Sequence, residues 1–420
     1  MARMSLRGRG RALRALCVLA GVAALGTAAT ACDDSGESPV EDPTPSVDGT
    51  PPSDRDSYRV TEIDFSAPAG SPAPVADRVL RVGAQYVLLG HDAEQEDGSI
   101  WISPDLATWK ARGGWIAGYA GVQRVVGLVQ HEGRWIGAYN ERPAGMPAMA
   151  WHLSSSDAGQ NWHEDALPGP TSHPSTASGV VTVGDRVVVT GAHNEGETEQ
   201  PIERPVAWRT SDGKKWNKVS LASDENRSVA PNEPFLIDQT VFVPGAAVAY
   251  EGDELVSSKP LLWTSDDGGR TFKRTELPQN GDRAVPLFGL HTNQADFIFG
   301  WSGSDAIVWR SEDDGRTWQA APDSTFAHRP EGQSYPHQAI RDGDCVVLAG
   351  VIGDPTANEP LPSAMWRSCD AGKSWSRMAT DELEDADATD TVDLVGDGLG
   401  MVLVTNSSSD ETVRLLRLQK

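Results

Sequence analysis

The hydrophobic pattern has one dominant period, and that period is two. Runs such as "AIVWRSE" (306–312), apolar and β-branched residues leading into a polar turn, read as half-buried strands. Residues 179–221 show how these runs are ordered: "GVVTV", the turn "GD", "RVVVTG", a long polar loop, "PVAWR", a compact turn and "WNKVSL". This predicts four antiparallel strands per unit, with no competing helical period. The order recurs along the chain, so a repeat architecture is expected.

The repeats align on the compact turn before the fourth strand. Four full copies read "SSDAGQNW" (Ser155, Asp157, Gly159, Trp162), "SDDGGRTF" (Ser265, Asp267, Gly269, Phe272), "SEDDGRTW" (Ser311, Asp313, Gly315, Trp318) and "SCDAGKSW" (Ser368, Asp370, Gly372, Trp375). Two are shortened: "SPDLATW" (Ser103, Asp105, Trp109) and "TSDGKKW" (Thr210, Asp212, Gly213, Trp216). The closing aromatics are separated by 53, 54, 56, 46 and 57 residues. A second Trp precedes most turns by two residues, at 101, 208, 263, 309 and 366; in the second copy Trp151 stands four before. Together these registers hold eleven of the fourteen Trp, so they mark one structural unit used repeatedly.

Each position has a physical reason. Asp accepts backbone N–H groups inside a tight turn, Ser or Thr assists, and Gly supplies positive φ. The aromatic opens the next strand, and each buried Trp removes roughly 150–250 Å² from water. The form S/T-x-D-x-G-x-x-W/F resembles the Asp-box, or BNR repeat, of sialidases and many other β-propellers, and the resemblance covers about residues 58–420. It implies that the motif lies between the third and fourth strands of a blade, on the face away from the active site of enzymes that carry it.

Six motifs mark six blades. After Trp375 the chain still offers "TVDLVG", "MVLVTN" and "TVRLLRL", three strands lacking a fourth. "YRVTEIDF" (58–65) precedes the first blade and can supply it. The expected fold is therefore all-β: a seven-bladed propeller closed by pairing of its N- and C-terminal strands. A six-bladed ring with a C-terminal extension is the alternative. Cys345 and Cys369 fall nearly opposite on adjacent strands of the sixth blade, close enough to bridge.

The N-terminus changes the picture from fold to address. Five Arg precede an apolar run ending "ATAC". Residues 1–31 read as a signal peptide, and Cys32 after a small-residue cleavage site resembles the lipidated Cys of bacterial lipoproteins. Residues 32–57, rich in Pro, Ser and Asp, are expected to be a disordered tether between lipid anchor and propeller. The expected location is the extracytoplasmic face of a cell membrane. The net charge of −24, about −29 without the five signal arginines, argues against nucleic acid as a partner.

Loop lengths locate the functional face. Turns between first and second strands are minimal and share a face with the motif turns; the opposite face receives loops such as 91–99, 193–205, 326–337 and 353–364. Binding concentrates on long loops carried by a rigid scaffold. His328, Arg329, Glu331, Tyr335 and His337 are the most varied group and the candidate ligand contacts. Their spacing matches no established metal set, no cofactor is called for, and no catalytic residue is assigned.

Two functions fit. One is a non-catalytic binding or assembly module recognising a protein or glycan of the envelope. The other, implied by the resemblance, is an exo-sialidase or other glycoside hydrolase. Sialidases carry a "[F/Y]RIP" motif that is absent here; "ERP" (203–205) and "HRP" (328–330) differ in sequence and position. The sequence favours the binding module.

Overall fold

The computed structural model describes residues 59–419, except 64–73, 93–97, 115–122, 142–147, 170–173, 196–201, 224–226, 252–253, 280–282, 304, 322–325, 327–333, 353–362, 379–389, 397–399 and 407–412. Residues 1–58, with Cys32 and the tether, lie outside the described residues. No helix occurs among the described residues. The strands form seven antiparallel sheets, one per blade. Six follow chain order, from Pro74–Gly114 through Gln123–Ala166, Ser175–Ser220, Ser228–Glu276 and Val285–Ala320 to Ser334–Arg377.

The seventh sheet takes three strands from the C-terminus, Asp390–Gly396, Met401–Asn406 and Val413–Gln419, and its outermost strand, Arg59–Ile63, from the other end of the chain. Arg59 pairs with Gln419 and Ile63 with Leu415. The closure follows from unpaired edges: three C-terminal strands leave a row of open N–H and C=O groups that Arg59–Ile63 satisfies. The seven-bladed expectation describes the molecule; the six-bladed alternative does not.

In all six motif turns the Ser or Thr hydroxyl donates to Asp Oδ1, which also accepts a backbone N–H of the turn, and the four full copies add two further contacts. Ser311 Oγ donates to Asp313 Oδ1 (2.8 Å) and accepts the Gly315 N–H (3.0 Å). Asp313 also accepts the Thr317 N–H on Oδ1 (2.8 Å) and the Thr317 hydroxyl on Oδ2 (2.7 Å). The residue before the closing aromatic is therefore part of the clasp, as Asn161, Thr271 and Ser374 show in the other full copies. Its place in the motif is hidden in the sequence because either an amide or a hydroxyl can fill it. Thr317 and Ser311 hold the Asp313 carboxyl at about 2, well below its ordinary value.

Gly315 has φ +74°, and a Cβ there would lie 2.5 Å from Phe242 of the preceding blade. The glycine thus serves both the turn and the close approach between blades. The first clasp solves this differently: Leu106 takes φ +66° and is fully buried.

The two tryptophan registers differ in depth. Trp101, Trp208, Trp263, Trp309 and Trp366 are buried almost completely. Among the closing aromatics only Trp109 and Trp216 are buried; Trp162, Phe272, Trp318 and Trp375 are half-buried. The deep register also joins blades. Trp208 Nε1 donates to Pro168 O (2.7 Å), Trp263 Nε1 to Ala222 O (2.9 Å) and Trp309 Nε1 to Pro278 O (2.7 Å), each acceptor just past the fourth strand of the preceding blade. The core is accordingly a ring of inter-blade clusters rather than one centre; the largest packs Phe297, Phe299 and Phe326 against Trp366.

Cys345 and Cys369 are bonded, with Cα atoms 4.1 Å apart. They flank the register pair Val346–Ser368, so the bridge ties the second strand of the sixth blade to its clasp. A closed loop of this length, 24 residues in separation, restricts the unfolded chain by about 3 kcal/mol. The double variant Cys345→Ser/Cys369→Ser should therefore lose about 3 kcal/mol in urea unfolding; an unchanged midpoint would contradict this contribution.

Candidate functional site

The first strand of each blade faces the axis, and all seven depart from a regular ladder. In six, the register shifts at one residue, between Ala76 and Arg78, Val125 and Gly127, Ala177 and Gly179, Pro286 and Phe288, Pro336 and Gln338, and Thr391 and Asp393. Such bulges bend the strand and re-aim side chains. The fourth blade breaks its first strand outright, into Ser228–Pro231 and Phe235–Ile237. Pro234 has no N–H to give a ladder, and the strand breaks there: Asn232 N–H still bonds Pro244 O (2.7 Å), but Glu233 N–H turns to Leu287 O of the fifth blade (3.0 Å). Asn232 Nδ2 donates to Pro286 O (2.6 Å), and Thr190 Oγ1 donates to Asn232 O (3.1 Å), fixing the break between blades three and five.

This break and the bulges bring charges together across the axis. Arg78 Nη2 of the first blade meets Glu233 Oε1 of the fourth at 2.9 Å, and Arg78 Nη1 donates to Val126 O of the second (2.8 Å). Arg78 Nε lies 3.7 Å from Asp393 Oδ2 of the seventh. Asp393 also accepts the N–H groups of Val79 (3.0 Å) and Leu394 (2.9 Å). The side chains of Arg78 and Asp393 are 13% and 2% exposed, so this is a buried pair. Burial raises the Asp393 carboxyl to about 6 against the opposing pull of Arg78. Burial works against the charge on Arg78 too, but Glu233 and Asp393 outweigh it and hold its pKa above the ordinary value. This network leaves no mark in the sequence, because its members are single residues 155 and 315 positions from Arg78.

Of the candidate contacts, His328, Arg329 and Glu331 lie outside the described residues. Tyr335 and His337 stand on the first strand of the sixth blade (Ser334–Asp342), at its loop-face end, and His337 is the bulged residue. Their rings meet edge-on at 5.6 Å, and Tyr335 lies 5.9 Å from Trp301 of the fifth blade. The fold therefore joins these two residues to an aromatic partner distant in sequence.

The loop face also departs from expectation in the fourth blade. Instead of a long loop, strands Thr240–Glu251 and Glu254–Ser265 extend as a twelve-residue hairpin. Tyr250 near its tip is 39% exposed. Burial, then the nearby Glu203 charge, raise its phenol to about 12, and burial raises Glu203 to about 7. A second Tyr–Glu group, which sequence alone did not reveal, lies between the first two blades. Tyr139 Oη donates to Glu164 Oε2 (2.9 Å), and burial raises both Glu164 and Glu141. Tyr139 is only 1% exposed, so its hydroxyl is inside the wall and out of reach of a substrate at the surface. Among the described residues, no group of three or more His, Cys, Asp and Glu is arranged to hold a metal ion.

No protein-family model and no curated protein matches the chain. Solved structures do resemble it. A protein of unknown function from Dyadobacter fermentans matches at 14% identity and TM-score 0.49, over 71% of this chain and 95% of that one. Trypanosoma rangeli sialidase in complex with sialic acid matches at 12% identity and TM-score 0.47, over 86% of this chain and 58% of that one. The phage phi92 endosialidase matches at 11% identity and TM-score 0.47, over 86% and 68%. The chain itself folds as the seven-bladed β-propeller described above. It spans little more than half of the trypanosomal enzyme, and identities this low speak to fold alone.

Proposed function

We propose that this propeller is a non-catalytic binding or assembly module, lipid-anchored through Cys32 outside a cell membrane, that engages a protein or glycan of the envelope through its long-loop face. The observation that supports it most is the use made of Arg78. A hydrolase acting on an acidic sugar needs an uncommitted guanidinium to hold the substrate carboxylate. Here the guanidinium of Arg78, on the first strand of the first blade, is paired with Glu233 and directed at Asp393 and Val126 O. The Tyr139–Glu164 pair is likewise enclosed. Loops on a rigid ring remain the accessible chemistry, with His328, Arg329, Glu331, Tyr335 and His337 as the contacts to test.

The test pairs a fluorogenic glycoside panel, sialosides included, with capture from envelope extracts by the full-length protein. The expected outcome is no turnover, with capture weakened by His328→Ala/Arg329→Ala. Turnover abolished by one carboxylate substitution would replace this reading with a glycoside hydrolase.

A further inference from the structure

The residue after the deep tryptophan is arginine in the third, fifth and sixth blades, at Arg209, Arg310 and Arg367. The last two guanidiniums meet different partners. Arg310 Nε donates to Ala371 O, in the clasp of the sixth blade. The seventh blade carries no motif, so Arg367 has no clasp to meet there. It turns to its own blade instead, where Nη2 donates to Cys345 Sγ (3.0 Å). Asp342 Oδ2 stands farther from the same nitrogen, at 3.9 Å, and the Arg367 side chain is only 10% exposed. A cation with little water around it therefore rests on one sulfur of the disulfide.

The two cysteines also differ in access. Cys345 is 7% exposed, whereas Cys369 is exposed. Cys369 fills the motif position between Ser and Asp, which is exposed in all six copies: Pro104, Ser156, Ser211, Asp266, Glu312 and Cys369. Elsewhere a clasp glycine packs on the second strand of the preceding blade, as Gly269 does on Val188 and Gly372 on Phe297. No clasp comes from the seventh blade to cover the second strand of the sixth, which begins at Cys345.

We infer that Cys345–Cys369 is a thiol–disulfide exchange site whose co-reactant is a dithiol. The asymmetry sets the order of events. A thiolate of the dithiol attacks Cys369 Sγ and forms a new S–S bond there. The Cys345–Cys369 bond breaks, and its electron pair stays on Cys345 Sγ. Arg367 Nη2 stabilises that departing thiolate, and exchange is faster the better the leaving sulfur carries negative charge. The second thiol of the reagent then attacks the reagent's own sulfur in the mixed disulfide and releases Cys369. The dithiol leaves as a disulfide, two electrons poorer, and its two protons pass through water to solvent or to the released sulfurs. The buried sulfur is never the one attacked, so its enclosure is no obstacle. This site goes beyond the binding reading and does not depend on what the loop face engages.

The test is reduction of the folded full-length protein by dithiothreitol, with the freed thiols alkylated and assigned to individual cysteines by mass spectrometry. The rate should be first order in dithiothreitol and unchanged by about 1 M urea, because attack on the folded chain needs no unfolding. With glutathione, a monothiol, the first adduct should form on Cys369 in about tenfold or greater excess over Cys345. Arg367→Met should slow reduction about tenfold, and Arg367→Lys, which keeps a cation, should recover most of the rate. A rate that saturates with dithiothreitol or climbs steeply in urea would make the bridge a purely structural one and overturn the assignment. So would a first adduct on Cys345, which requires no variant to detect. Reduction of Arg367→Met at the wild-type rate, or Arg367→Lys as slow as Arg367→Met, overturns the part given to the guanidinium.

Discussion

Replacing Arg78 by alanine is expected to destabilise the protein by about 3–5 kcal/mol, the range for removing one partner of a buried ion pair. The change strands Asp393, 2% exposed, and leaves Glu233 without its cation. The loss should also depend on pH in a defined direction. The folded pKa of Asp393, about 6, lies above the ordinary 3.8, so its contribution to stability is fully present below the ordinary value and lost as pH rises through about 6. Without Arg78 the carboxyl is pushed higher still, and protonation relieves more of the damage. Urea unfolding of Arg78→Ala should therefore approach the wild type on going from pH 7.5 to 5. Adding Glu233→Gln and Asp393→Asn should restore part of the stability at neutral pH. A pH-independent loss under 1 kcal/mol would show that the axial network is dispensable.

The second large effect is expected at Trp309. It is fully buried, packs with Phe242, Ile298 and Ile307, and donates its indole N–H to Pro278 O. Trp309→Ala should cost about 3–5 kcal/mol through lost contact and the cavity left behind. Trp309→Phe retains most of the apolar area but strands the carbonyl, and should cost about 1–3 kcal/mol. No ionisable group is touched, so both losses should be flat between pH 5 and 7.5, unlike that of Arg78→Ala. Equal losses for the two substitutions would mean that the inter-blade hydrogen bond, rather than packing, dominates.

These two residues also mark what a sequence makes legible. Trp309 belongs to a register repeated every 46–57 residues, and repetition exposes any element that must be rebuilt in each blade. The clasps, the blade count and the seam were readable for the same reason, since local spacing and strand bookkeeping determine them. Arg78, Glu233 and Asp393 occur once each, on three different blades, and meet only because the ring curves them together. His193 and Arg204 lie inside a segment read as a polar loop, 193–205, yet they are paired residues of two strands, Arg186–Glu195 and Ile202–Thr210. Tyr335 and His337 stand out in the sequence by chemical variety alone, whereas Trp301, which meets Tyr335, comes from another blade.

The seam has a kinetic consequence. Glu62 accepts a hydrogen bond from Arg414, 352 residues away, across the pairing that completes the last sheet. Neither strand has its partner until residues 413–419 have been made. Six blades can begin to fold vectorially as they emerge, whereas the seventh waits with open edges. Completion of the seventh blade therefore comes late and carries a high loop-closure entropy, and loss of residues 413–419 would leave the same sticky margins open permanently.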